Sequence, residues 1–162
     1  MAVDGVSSSA SKLKPEQEKQ ALYENLYKNL KLELSDGKTY ELTKVTEPLV
    51  LLNFWASWCA PCMKEFKTLT KLKNKYGDKI LIVGINNDED DQKNAIKKTE
   101  ERNKLNFSSY ADNNSNMTSA FMISSIPATI VFYKGKYIYA HYEEMNFLDS
   151  DFISLLDSKL EE

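Results

Sequence analysis

The stretch Asn53-Phe54-Trp55-Ala56-Ser57-Trp58-Cys59-Ala60-Pro61-Cys62 constrains this chain more than any other, because both cysteines of the sequence fall inside it. Leu49-Val50-Leu51-Leu52 is a short apolar run leading into aromatics, the pattern of a strand. Met63-Lys64-Glu65-Phe66 then opens a helical period through Phe66, Leu69 and Leu72, with lysines between them. The thiols therefore sit where a strand becomes a helix. A sulfur at that junction feels the positive end of the helix dipole and unpaired backbone N–H groups, both of which favour thiolate over thiol. The two-residue gap lets the second thiol return within one turn and close a ring. Such a dithiol is suited to exchanging disulfides with other molecules.

The same spacing occurs in half of a zinc site, but structural zinc needs four ligands. His141 is the only histidine and there is no third cysteine, so one chain cannot complete the set. No metal is expected, and no cofactor beyond the Cys59/Cys62 pair. A structural staple is disfavoured too, since a bridge across two residues removes almost no chain entropy. A length of 162 residues with 42% hydrophobic and 11% aromatic content suits one globular domain. The net charge of −3 comes without a basic stripe, so nothing points to a nucleic-acid partner and none is expected. No apolar run approaches the ~20 residues of a membrane span.

Residues 1–14 read as a flexible leader or a fusion scar, because they lack the charged end and apolar core of a signal peptide. Residues 15–162 read as one domain. Pro15 to Leu30 is an expected helix with Leu22, Leu26 and Leu30 on one side. Leu32-Glu33-Leu34 and Thr39-Tyr40-Glu41-Leu42 flank Asp36-Gly37 as a hairpin. The cysteine helix should stop at Gly77, before Lys79-Ile80-Leu81-Ile82-Val83-Gly84-Ile85-Asn86, a strand buried on both faces. Asp88-Glu89-Asp90-Asp91 is read as the solvated start of a helix reaching Asn103. A short strand over Phe107–Tyr110 precedes a helix over Asn113–Met122 capped by Ser115. Strands from Ile126 to Tyr133 and from Tyr137 to Tyr142 pair through Lys134-Gly135-Lys136, and Phe147 to Leu160 closes the chain as a helix. His141, Met117, Met122 and Met145 are assigned to packing.

This order, with Trp58-Cys59-Ala60-Pro61-Cys62 followed by Ile126-Pro127, resembles the thioredoxin fold. Within it, the chain looks like the TlpA/ResA/CcmG group of extracytoplasmic thiol–disulfide oxidoreductases. Asn53 stands where cytosolic thioredoxins usually carry a buried Asp, and Glu65 matches the group's Cys-x-x-Glu pattern. Val83-Gly84-Ile85-Asn86, the acids after it and the early hairpin also match. Lys67 replaces a usual proline, Ser124-Ser125 a usual glycine, and Ala128 a usual hydroxyl, with Thr129 next. The resemblance implies an α/β protein: a three-layer α/β/α arrangement with a central mixed sheet, an N-terminal hairpin and an extra N-terminal helix.

Cys59, nearest the helix start, is expected to be the more exposed and more acidic thiol and to attack; Cys62 resolves. Pro61 stiffens the ring within the first helical turn. Trp58 and Ala60 beside it form a substrate rim, while Trp55 belongs to the core. The resemblance implies a cis bond at Ile126-Pro127, with Ile126 pairing with an extended substrate. An exposed helical position is the ordinary reading of Glu65; the resemblance instead places its carboxylate near the dithiol, as a proton acceptor for Cys62. It also implies a reductant of protein disulfides outside the cytosol, working on substrates such as apocytochrome c. The protein would be re-reduced by a membrane thiol reductase and anchored through a segment not in this sequence. The chain is expected to be monomeric. Two rivals stay open: a general cytosolic thioredoxin, and a Cu(I)-carrying dithiol module. A peroxidase is disfavoured, because Ala56 occupies the position three before Cys59 where a threonine is needed.

Overall fold

A computed structural model describes residues 14–162. The leader expected at the N-terminus lies, apart from Lys14, outside the described residues. Helix α1 (Pro15–Lys28) is followed by strands β1 (Lys31–Glu33) and β2 (Thr39–Glu41). Next come β3 (Leu49–Trp55), α2 (Ala60–Tyr76), β4 (Ile80–Asn86), α3 (Gln92–Asn103) and β5 (Ser108–Ala111). A short α4 (Asn116–Ala120) precedes β6 (Ala128–Tyr133), β7 (Lys136–His141) and α5 (Ser150–Leu160). No helix among the described residues is long and apolar enough to cross a membrane.

β1 and β2 form the expected hairpin, with Leu32 opposite Tyr40. The other strands make one sheet in the order β5-β4-β3-β6-β7. β3 runs parallel to β4, which runs parallel to β5, while β6 is antiparallel to both β3 and β7. The sheet is therefore mixed. Two successive crossovers in one direction, β3-α2-β4 and β4-α3-β5, put both helices on the same face when each is right-handed. Phe66, Leu69 and Leu72 of α2, Ile96 of α3, and Phe152 and Leu156 of α5 pack there against Leu49, Leu51, Ile80 and Ile82. The alternate residues Val50, Leu52, Val83 and Ile85 face the other way. They meet Tyr23 and Tyr27 of α1, the hairpin, and Met117 of α4. The three-layer arrangement with its hairpin and extra helix is as expected. β3 and β4 are buried along their whole length, as continuous apolar runs require.

Several boundaries differ for physical reasons. α1 ends at Lys28, and its buried face is Tyr23 and Tyr27 rather than the half-buried leucines. Aromatic rings reach farther into the sheet and carry hydroxyls that find partners there. The helix expected over Asn113–Met122 shrinks to α4 because Asn114 and Ser115 adopt left-handed backbone. Ser115 does not cap it with its side chain; the Asp112 carboxylate does, accepting from the N–H groups of Met117 and Thr118, both at 2.8 Å. Met122 is 76% exposed, not packed. Phe147 lies buried in the loop before α5, whose start is set by Asp149 accepting from the Asp151 and Phe152 N–H groups. β6 begins at Ala128, after a cis Ile126-Pro127 bond.

Candidate active site

The C-terminal ends of β3, β4 and β5 and the N-terminal end of β6 meet at one edge of the sheet. Cys59 and Cys62, joined as a disulfide, lie there. Cys59 is the N-cap residue of α2, with extended backbone, and its Sγ accepts the Cys62 N–H at 3.2 Å. The sulfur thus occupies the position where a helix presents an unpaired donor and the positive end of its dipole. Pro61 fits the first turn, where its missing N–H costs no helical hydrogen bond.

Ser57, Trp58, Ala60 and Pro61 are exposed around the pair, Trp58 at 69%. Trp55, by contrast, is wholly buried and donates from Nε1 to Ser109 Oγ at 3.0 Å. Trp55 thus belongs to the core, as expected, and Trp58 is exposed beside Cys59. Cys59 is only 4% exposed, because its sulfur is bonded to Cys62 and its side chain packs with Trp55, Ala56 and Phe66. Cys62 is completely buried, so Cys59 is still the sulfur nearer to solvent.

The β3/β6 register pairs Phe54 with Ala128 and Asn53 with Thr129. The cis Ile126-Pro127 segment precedes Ala128 at that end of the sheet, where Ile126 packs against the cluster that holds Trp55, Ala56 and Cys59. Pro127 is buried, and half-buried Ile126 packs against the apolar layers on both faces.

Glu65 is not an exposed helical glutamate but 2% exposed. It lies three residues after Cys62, and residues at that spacing share one helix face. Its Oε1 accepts from Asn53 Nδ2 at 2.7 Å and its Oε2 from the Met145 N–H at 3.2 Å. Burial raises its pKa from the ordinary 4.5 to about 7, assisted by the Glu144 charge and opposed by those two hydrogen bonds. Asn53 is wholly buried, and its Nδ2 also approaches Thr129 Oγ1 at 3.5 Å, while its Oδ1 has no partner among the described residues. The neutral amide that stands in place of the usual buried Asp is therefore in contact with the carboxylate.

Asp88 was legible only as an acid before a helix. It is buried, with its carboxylate on Ser57 and Asn86, instead of lying in solvent at the start of α3. The donors it meets come from two strand ends, and no local pattern announces such a meeting. Asp90 and Asp91 line an adjoining cleft of about 560 Å³ with Ser57, Met63, Lys98 and Arg102. His141 stacks on Tyr139 and Met145 contributes its backbone. Among the described residues, no group of three or more His, Cys, Asp or Glu side chains is arranged to hold a metal ion.

Comparison with known proteins places these observations. The Redoxin family matches residues 22–152. The thioredoxin-like protein YneN of Bacillus subtilis is 40% identical over 55 residues, which cover 34% of this chain and 32% of that protein. The thiol-disulfide oxidoreductase ResA of the same organism is 32% identical over 104 residues, covering 64% of this chain and 57% of that protein. The chain thus spans about a third to three fifths of the length of these curated relatives. The crystal structure of a DsbF homologue from Corynebacterium diphtheriae superposes with a TM-score of 0.69 at 28% identity, over 80% of this chain and 83% of that one.

Proposed function

The chain belongs to the Redoxin family, and from that membership we propose that it is a thiol–disulfide oxidoreductase working as a reductant. One observation carries the reading: the Cys59–Cys62 pair caps α2, with the Cys62 N–H directed at the Cys59 sulfur. That donor and the helix dipole favour thiolate at Cys59 once the pair is reduced. The Cys59 thiolate attacks one sulfur of a substrate disulfide, and the other substrate sulfur leaves as thiolate. Cys62 then gives up its proton to the Glu65 carboxylate and attacks the Cys59 sulfur. The second substrate thiolate leaves, and the protein retains both oxidised sulfurs as its own disulfide. Glu65 suits that step because a carboxyl with a pKa near 7 exchanges protons readily at neutral pH.

Exposed Trp58, Ala60 and Pro61 and the cis Ile126-Pro127 segment form the surface against which the substrate lies. The chemistry requires no cofactor beyond the two thiols. The resemblance to the TlpA/ResA/CcmG group supports protein substrates outside the cytosol, with apocytochrome c cysteines as one class. A membrane dithiol reductase then returns the electrons, and the protein acts as a monomer. Cys62→Ser should trap a mixed disulfide through Cys59, seen by non-reducing electrophoresis and peptide mapping. A trapped species through Cys62 in Cys59→Ser, and none in Cys62→Ser, overturns the roles. A reduction potential of about −270 mV or lower supports the reductant; one near about −120 mV reverses the direction.

A further inference from the structure

Asp88 takes no part in the exchange just described, yet its carboxylate is nearly buried two residues beyond the end of β4. It accepts three hydrogen bonds: from the Ser57 N–H at 2.9 Å, from the Ser57 hydroxyl at 2.7 Å and from Asn86 Nδ2 at 2.7 Å. Asn86 Oδ1 in turn accepts the Asp88 N–H at 3.0 Å, and the Asn87 N–H donates to the Trp55 carbonyl at 2.8 Å. Asn86 itself is paired in register with Trp55. Asp88 is therefore anchored to the sheet, and two of its three donors belong to one residue of the cysteine loop. That residue lies within the turn closed by the Cys59 N–H on the Ala56 carbonyl at 3.1 Å.

We propose that Asp88 is a positioning residue for Cys59: through Ser57 it holds the turn that seats the Cys59 sulfur over the first N–H groups of α2. The proposal rests on Cys59 being the attacking thiol. Hydrogen bonds to a carboxylate are about twice as strong as neutral ones. Binding one residue by both its N–H and its hydroxyl fixes that residue's orientation as well as its place. With the turn held, Trp58 is exposed on one side of Cys59 and Cys62 lies one helical turn beyond it. Without the clasp the sulfur is free to leave the helix axis and lose the Cys62 N–H.

The charge of Asp88 acts in the opposite sense, since a carboxylate near a thiol disfavours the thiolate. The two effects therefore predict opposite results when Asp88 is removed. Other charged groups border the site: Asp90, Asp91, Lys98 and Arg102 line the cleft shared with Ser57, while Glu65 and Glu144 lie on the Asn53 side. None of them changes in Ser57→Ala.

The test is the pH dependence of iodoacetamide alkylation at Cys59 in the reduced protein, read by peptide mass spectrometry. Asp88→Ala should slow alkylation at neutral pH by about tenfold, the loss of thiolate that accompanies one unit of thiol pKa. Ser57→Ala should move it the same way but less, because the backbone N–H remains to a carboxylate still in place. Asp88→Asn, which keeps one acceptor, should recover part of the loss. An unchanged or faster rate in folded Asp88→Ala overturns the proposal, the faster rate indicating charge alone. Should Asp88→Ala fail to fold, a Ser57→Ala profile superimposing on the unsubstituted protein overturns it. Reduction of a test disulfide such as that of insulin reports separately on the oxidoreductase reading, which can fail while the alkylation profile shifts.

Discussion

Glu65 shows how far burial can differ from a side chain's ordinary setting: the exposed helical position gives way to one that is 2% exposed. The resemblance to the group's Cys-x-x-Glu pattern singles it out, but its ordinary setting on a lysine-rich helix is solvent, and nothing local says that Asn53 and the Met145 N–H will close over it. The closure has a measurable consequence. Between 4.5 and about 7 the folded protein holds a proton that the unfolded chain has released. The contribution of this carboxyl to stability is therefore full below 4.5 and is lost as pH rises through about 7, by on the order of 3 kcal/mol. In urea unfolding of the oxidised protein, Glu65→Gln should lack that decline while other groups titrate as before. Parallel stability curves for the two proteins between pH 4 and pH 8 would show that the carboxyl is not held in this way.

At the scale of elements, the strands were legible because short, largely apolar runs bounded by Pro48, Gly77 and acids admit few alternatives. Less legible was how closely they pack side to side. Gly84 sits in β4 where an added Cβ would overlap Ser109 Oγ and lie 2.8 Å from Trp55 Nε1, the two atoms that hydrogen-bond to each other. Gly84→Ala should cost about 1–3 kcal/mol through overpacking, measured as a lower urea midpoint. Ser109→Gly in that background should restore part of the loss, since it clears the nearest atoms. Strictly additive effects of the two substitutions would place the strain elsewhere. The loop before α4 escaped the sequence for a related reason. Its cap is supplied by Asp112 at the end of β5, so the helix starts where the strand sets its acid down.

For the whole molecule, α1 and the hairpin form an outer layer on the sheet face opposite α2, held by rings as much as by aliphatic contact. Tyr27 lies 4.6 Å from Phe132, ring centre to ring centre, and donates to the Leu42 carbonyl at 2.9 Å. Tyr23 donates to the Phe121 carbonyl at 3.0 Å, which ties α1 to the segment leading into Ile126-Pro127. Tyr27→Phe should cost about 0.5–1.5 kcal/mol by removing one hydrogen bond to the Leu42 carbonyl, with faster amide exchange in the 42–44 turn. Unaltered stability and exchange would mean that the Tyr27 hydroxyl adds nothing to the packing of its ring. Residue order by itself determined that this chain places two thiols at a strand-to-helix junction within a layered α/β protein. Those features depend on periodicity and on neighbours within one turn, which the chain carries locally. Only the tertiary structure decided that Glu65 is buried on Asn53 and that Asp88 grips Ser57. Both contacts join residues from separate elements, and a carboxylate's surroundings exist only once the sheet has brought those elements together.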